Sequence, residues 1–271
     1  MGIFLCPVCG ELLEISGKSY VCKNRHSFDI AKSGYVNLLL SRHGAVHGDN
    51  KLMLKARRAF LDSGFYAPLC ENVSAVAAEF AKNGCTILDA GCGEGYYTTA
   101  VKKLLGEREI NADIYGIDIS KDAVEMASKR RCGIIYSVAS VFHIPVISES
   151  CDILLTIFAP YCGDEYRRVL KKGGIMIMAI PSRNHLWELK KAIYNTPYKN
   201  EVKPYELSGF EFLESRRIRF NMTLNGKEEI VSLFSMTPYY YKTGKIEQER
   251  LNELEYLETE ADFEILIYLR K

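Results

Sequence analysis

The sequence predicts an α/β protein: a mostly parallel sheet wrapped in helices, with a small metal-braced module at its front. Three observations predict it. From Cys85 onward, short apolar segments alternate with helical ones, the rhythm of strands buried on both faces and connected by crossover helices. The first of these segments runs into a turn containing Gly91, Gly93 and Gly95. Ahead of them, Cys6, Cys9, Cys22 and His26 stand at the spacing of a four-ligand metal knuckle.

Composition narrows the class. The chain has 271 residues, 48% of them hydrophobic and 25% charged, which excludes a disordered protein and suits one full domain with a smaller module. No apolar run approaches the ~20 residues that span a bilayer. The opening MGIFLCPVCG lacks the basic region, apolar stretch and cleavage site of a secretory signal. A cytoplasmic protein with no membrane partner is expected. Six of the nine cysteines (Cys70, Cys85, Cys92, Cys132, Cys151 and Cys162) follow no pairing rhythm and are expected as free thiols, several packed as small hydrophobes.

Residues 1–34 are the module. In Cys6-x2-Cys9-x12-Cys22-x3-His26, two close pairs supply a tetrahedron, with Pro7 and Gly10 shaping the first turn. Four protein ligands leave no open position, so one structural Zn2+ is expected. Its binding contributes ~10–16 kcal/mol, ample for a segment too short to build its own core. Residues 35–83 are expected to be a helical, basic connector. Lys51–Leu61 is amphipathic, and a second helix runs from about Tyr66 to Lys82, stopping at Asn83-Gly84.

Residues 84–271 carry the sheet. Expected strands are Thr86–Ala90, Ile114–Ile117, Ile134–Val138, Cys151–Thr156 and Ile175–Ile180, the last following a Gly173-Gly174 turn. Helices are expected over Tyr96–Leu105, Asp122–Lys129 and Asp164–Leu170. The chain closes with a long strand over Phe210–Leu224, a helix over Lys227–Met236 and a strand over Phe263–Leu269, compatible with an antiparallel edge.

ILDAGCGEGYYT is the strongest chemical signal. Glycines between a strand and a helix let backbone approach a ligand closely and offer helix N–H groups to it. Asp118 ends the next strand, where a carboxylate accepts ribose hydroxyls. Three details favour S-adenosylmethionine over a dinucleotide. The spacing is G-x-G-x-G, with Tyr96 where a dinucleotide fingerprint has glycine. Glu94 would repel a pyrophosphate. Asp89 adds a carboxylate toward a ligand with a cationic end. The segment resembles the class I (Rossmann-like) methyltransferases over roughly residues 85–180. That resemblance implies adenine contacts at Ala139 and Ser140, where the usual Asp is absent. It also implies a substrate edge at Phe158-Ala159-Pro160-Tyr161, which departs from the Asn/Asp-Pro-Pro-Tyr of amino-directed members.

Residues 1–70 hold nine Lys/Arg against five Asp/Glu, pointing to a polyanion at that end. Arg42, His43, His47, Lys51, Lys55, Arg57 and Arg58, with Lys23 and Arg25 on the knuckle, are candidates to track phosphates, and Tyr35 to stack on a base. The runs CPVCG…YVCKNRHSFDIAKSGYVNLL, ARRAFLDSGFYAPL, LDAGCGEGYYT and HLWELKKAIYN together resemble the bacterial 23S ribosomal RNA guanine-N1 methyltransferases. The resemblance implies methylation of guanine N1 in a 23S rRNA hairpin, zinc on Cys6, Cys9, Cys22 and His26, cofactor contacts at Tyr66, Gly93, Glu94 and His185, and a homodimer that builds the RNA cleft. No residue announces itself as the base that accepts the N1 proton; Asp164 and Glu165 read as surface acids at a helix start. The alternatives are a small-molecule methyltransferase braced by zinc and a non-catalytic zinc-ribbon RNA-binding protein.

Overall fold

The computed structural model describes residues 2–40, 51–202, 204–237, 239–240 and 243–271. The front module is a three-stranded antiparallel sheet, β1 (Leu13–Ser16), β2 (Ser19–Cys22) and β3 (Ser27–Asp29). Then follow β4 (Val36–Asn37), α1 (Lys51–Asp62), α2 (Ala67–Phe80), β5 (Cys85–Ala90), α3 (Tyr96–Glu107), β6 (Ala112–Asp118), α4 (Lys121–Ser128) and β7 (Ile135–Val138). The second half runs β8 (Cys151–Ile157), α5 (Gly163–Val169), β9 (Leu170–Pro181), α6 (Trp187–Ile193), β10 (Phe210–Asn225), α7 (Lys227–Ser235), α8 (Lys245–Glu253) and β11 (Tyr256–Arg270).

The main sheet has eight strands in the order β10-β11-β9-β8-β5-β6-β7-β4. Strands β4 through β9 pair in parallel, and β11 enters antiparallel between β9 and β10. Because β5 lies beside both β6 and β8, the crossovers leave it in opposite directions. The carboxyl ends of those strands therefore open a crevice where ligands bind in such sheets.

Three elements differ from expectation. Val36–Asn37, expected in a helical connector, is an edge strand parallel to β7, and Leu38 N–H continues it by donating to Val138 O at 3.0 Å. The Gly173-Gly174 pair does not turn before the fifth strand but forms a bulge within β9, where pairing with β8 jumps from Cys151↔Leu170 to Ile153↔Ile175. Gly173 takes φ +74° there, which a glycine adopts at no steric cost. The last strand is more than twice its expected length, Tyr256–Arg270, and is buried along much of it.

Both faces of the sheet are apolar, as parallel strands require. One face, with Ile87, Ile153, Ile177 and Ile265, is covered by α2, α3, α6 and α7 through Leu69, Val73, Leu105, Leu189 and Leu233. The other, with Leu88, Tyr115, Leu154, Met176 and Leu266, has Tyr166 and Val169 of α5 and, beside them, Ile3, Phe4, Leu13 and Tyr20 of the front module. Two ladder bonds fix the module there, Leu5 N–H to Pro145 O at 2.8 Å and Ile147 N–H to Ile3 O at 3.0 Å. Phe4, 1% exposed, packs edge-on against Tyr20 of the module and Tyr115 of β6, ring centroids 6.0 and 5.4 Å away. The module does not rest on its metal alone; it is one wall of the main core.

Phe4→Ala is accordingly expected to destabilise the whole chain. Losing a buried aromatic costs about 3–5 kcal/mol, on the order of 10 °C in Tm for a domain of this size. Thermal unfolding followed through the helical signal, which comes from residues outside the module, checks this. An unmoved midpoint would mean that the module and the sheet do not share a core.

Candidate functional site

The four front ligands converge. Cys6 Sγ and Cys22 Sγ each lie 3.5 Å from His26 Nδ1, and Cys9 Sγ lies 3.7 Å from Cys22 Sγ. All four ligand atoms fall within 4.8 Å of one another. A tetrahedral zinc with ordinary Zn–S and Zn–N bonds sets neighbouring ligand atoms roughly 3.6–3.8 Å apart, so the donor set fits zinc in kind and in spacing. The chain folds back after the first ligand of each pair: Gly10 N–H donates to Cys6 O and Arg25 N–H to Cys22 O, both at 2.8 Å. The Glu11 backbone N–H, ahead of other groups, pulls the Cys9 thiol down to about 6, toward the thiolate a metal needs. No other such cluster occurs among the described residues.

The second site is a cleft of about 680 Å³ at the carboxyl ends of the parallel strands. Its floor is the turn after β5. Gly91 takes φ +90°, and a Cβ there would come 2.4 Å from the Ala159 Cβ, so only glycine lets the loop after β8 close on the turn. Gly93, at φ +54°, has nothing within 4 Å of the point a β-carbon would occupy, leaving its backbone open to a ligand. Gly95, at φ +83°, packs against Ala127 and Tyr136 and begins α3.

Asp118 organises this turn. Its two oxygens accept from Gly93 N–H at 2.9 Å and Ser120 N–H at 2.8 Å, and the residue lines the cleft. Asp89, 1% exposed, accepts from Thr98 Oγ1 at 2.5 Å through Oδ2, while Oδ1 has no partner among the described residues. Burial, ahead of repulsion from Asp118, pushes its carboxyl up to about 7. A buried carboxylate with one unsatisfied oxygen in a cleft suits a cationic group such as an α-ammonium. Ser140, Val141, Phe142 and Ile119 also line the cleft, one hydroxyl among apolar side chains, a combination suited to an adenine. Ser140 Oγ accepts from Phe142 N–H at 3.2 Å, keeping its own proton to donate. Ala139 is 1% exposed and spends its N–H on Asp118 O at 2.9 Å; it backs the site without lining it.

Glu94 stands in the turn but not as an unscreened charge. Arg130 donates to its Oε2 from Nη2 at 2.6 Å and Nε at 3.1 Å, and Arg58 stands 3.5 Å away. The expected repulsion of a pyrophosphate is thus largely cancelled, because burial of the carboxylate drew two guanidinium groups to it. Among the described residues, the acid that remains without a cationic partner in the turn is Asp89. Tyr66 lines the cleft just before α2, edge-on to Phe263 at 5.0 Å. His185 lies behind it, 6.4 Å between ring centroids, outside the lining residues. Its Nδ1 accepts from Asp262 N–H at 3.2 Å, and burial pushes it down to about 3, so it is a neutral support for Tyr66.

The proposed phosphate trackers separate. Lys51 and Lys55 are exposed on α1, and Lys23 and Arg25 on the knuckle; Arg42, His43 and His47 lie outside the described residues. Arg58 serves Glu94, and Arg57 lines the cleft. Tyr35 cannot stack on a base: it is 5% exposed, packed with Val124 and Tyr136 because the following residues join the sheet. Asp164 and Glu165 are committed to Arg167 and Arg168.

Comparisons with known proteins fall on the same two sites. A family model described as RlmA, N-terminal, matches residues 4–43, and one described as a methyltransferase domain matches residues 81–235. A Bacillus subtilis protein assigned the name 23S rRNA (guanine-N1)-methyltransferase YxjB is 31% identical over 99% of this chain and 97% of its own length. The 23S rRNA (guanine(748)-N1)-methyltransferase of Streptomyces fradiae is 36% identical over 69% of this chain and 66% of its own. Among solved structures, YjhP from E. coli superposes with a TM-score of 0.50 at 15% identity, covering 81% of this chain and 99% of that one, a likeness of fold.

Two outcomes are expected of the site. Metal analysis should return one zinc per chain, and Cys22→Ser should lose it. Asp89→Asn should change both affinity and pH behaviour. Folded, Asp89 keeps its proton to about 7, whereas its ordinary value is 3.8. Between those limits the folded state binds more protons than the unfolded, so stability falls as pH rises from about 4 to 7. The substitution should flatten that decline in urea titrations without cofactor. It should also weaken S-adenosylmethionine binding by on the order of 10–100-fold, the worth of a charge-assisted hydrogen bond, by calorimetry at alkaline pH.

Proposed function

The chain belongs to the family of 23S rRNA (guanine-N1)-methyltransferases, and from that premise we propose that it methylates N1 of a guanine in a 23S rRNA hairpin. The observation that carries this is the joining of zinc ribbon and methyltransferase cleft in one chain, matched over nearly its whole length by the Bacillus subtilis relative. The cofactor is S-adenosylmethionine, and one zinc is structural. No helix among the described residues is long and apolar enough to cross a membrane, in keeping with the cytoplasmic setting proposed for an rRNA-modifying enzyme. A homodimer sharing an RNA cleft is part of the same proposal.

When bound, S-adenosylmethionine supplies an electrophilic methyl group. The chain's residues would hold it by three parts: Asp89 on the α-ammonium, the Gly91–Gly95 backbone and Tyr66 around the amino-acid end, and Asp118 on the ribose. Ser140 would read adenine, with Ala139 and His185 as supports and Glu94 tying the turn to Arg130. These residues act by binding and alignment, which turn an encounter into an in-line attack. The target base must leave its stack to reach the bottom of the crevice. The basic surfaces of α1 and the knuckle would hold phosphates and make binding salt-dependent.

Methyl transfer from labelled S-adenosylmethionine to 23S rRNA lacking its own modifications, followed by nucleoside mapping, tests the proposal. Label is expected as 1-methylguanosine at one hairpin position. No label in RNA with cofactor binding intact would overturn it in favour of a small-molecule acceptor.

A further inference from the structure

Among the side chains lining the cleft that the proposed cofactor contacts do not use are Phe158, Tyr97 and Arg57. Phe158 follows β8 in a left-handed conformation, φ +56°, which a residue with a β-carbon holds only under local strain. That turn sends the ring outward, 44% exposed, against Tyr97 at 6.3 Å and Phe263 at 5.3 Å. The neighbouring Ala159 presses on Gly91, so the ring stands next to the glycine turn.

Tyr97 comes from the first turn of α3. Its hydroxyl oxygen is buried and has no hydrogen-bond partner among the described residues. Burial holds the phenol well above its ordinary value, so it is a donor at neutral pH. Arg57 reaches in from α1 and donates from Nη2 to Met236 O at 3.4 Å, on the wall formed with the end of α7. It is the only cation among the described residues lining the cleft, and a guanidinium carries five N–H donors.

A flat apolar ring with a tyrosine beside it and a guanidinium lining the same cleft complements one edge of one base. Guanine presents N7 and O6, two acceptors; adenine replaces the second with an amino donor. We propose that Phe158 is the stacking floor for the target guanine, with Arg57 and Tyr97 donating to its O6 and N7 edge. This rests on the function proposed above and deepens it by naming the base subsite. The chemistry gives Arg57 a further part. Guanine N1 releases its proton to water, and the electron pair left behind is shared between N1 and O6. A guanidinium at O6 stabilises that developing charge, which is how a site without a dedicated base can act near neutrality. The N1 pair then bonds the methyl carbon, while the carbon–sulfur pair stays with sulfur.

The test uses full-length, zinc-loaded protein carrying Arg57→Ala, Arg57→Lys, Tyr97→Phe, Phe158→Leu or Phe158→Tyr. Three readouts are taken: S-adenosylmethionine affinity by calorimetry, single-turnover methyl transfer to 23S rRNA against pH, and thermal midpoint. Arg57→Ala is expected to lower the neutral-pH rate by on the order of 100-fold and move the rise in rate to higher pH, with cofactor affinity unchanged and Arg57→Lys intermediate. Phe158→Leu should lower kcat/KM for RNA, and Phe158→Tyr should restore it. Weaker cofactor binding by Arg57→Ala would assign the guanidinium to the cofactor's carboxylate and overturn the proposal, as would an unmoved pH profile. Wild-type protein that makes no 1-methylguanosine would instead remove the functional reading on which the proposal stands.

Discussion

A parallel sheet must be covered on both faces, and in this chain the second face is covered by a metal-held ribbon. Four helices, α2, α3, α6 and α7, lie on the first face. Opposite them, α5 is only seven residues long and leaves Leu88, Tyr115 and Leu154 to be buried by something else. Ile3, Phe4, Leu13 and Tyr20 do that, and two of the zinc ligands, Cys6 and Cys22, are buried in the same cluster. The metal fixes the ribbon, the ribbon keeps water from the sheet, and the sheet sets the height at which β5, β6 and β8 end. The cleft is made of those ends. The zinc site is thus tied to the cleft through packing, with no mobile coupling required.

The cleft divides its charge in the way its ligands demand. Its deep acids are Asp89, whose Oδ1 has no partner among the described residues, and Asp118, which accepts hydrogen bonds from the backbone it shapes. A third acid, Glu94, would crowd these two, and its charge is instead taken up by Arg130 and Arg58. What remains is a buried carboxylate at Asp89, suited to a cationic group, and a second carboxylate at Asp118 lining the same cleft. A dinucleotide would bring two phosphates toward Asp89 and Asp118, where the cations nearest the turn, Arg58 and Arg130, are already paired with Glu94.

Local signals and long-range ones were not equally legible in the sequence. The glycine turn, Asp118 and the four zinc ligands can be read because each depends on residues near one another in the chain or on fixed spacing. The β4 edge strand could not, since two residues, Val36 and Asn37, are too few to show alternation, and its formation is decided by β7 a hundred residues on; with it went the meaning of Tyr35. The partner of Glu94 is Arg130, which no spacing rule connects. The left-handed backbone of Phe158 is invisible for a different reason: outside glycine, such a conformation is imposed by tertiary contacts rather than by the residue that adopts it.

Arg57 and Arg58 bring these observations together. Adjacent on a helix, they point about 100° apart, and the structure uses both directions. Arg58 faces Glu94 and, with Asp62 and Arg130, ties α1 to the cofactor turn. Arg57 faces the wall beside Met236. Lys51 and Lys55, on the same helix, stay exposed. One helix therefore presents charge to three places: the glycine turn, the cleft wall where a base would lie, and the solvent side where a phosphate backbone would run. A shift of α1 would disturb all three together. Grouping those charges on one rigid element makes cofactor, base and backbone contacts depend on a single placement, so a strand docked out of register would lose the Arg57 contact along with the phosphates.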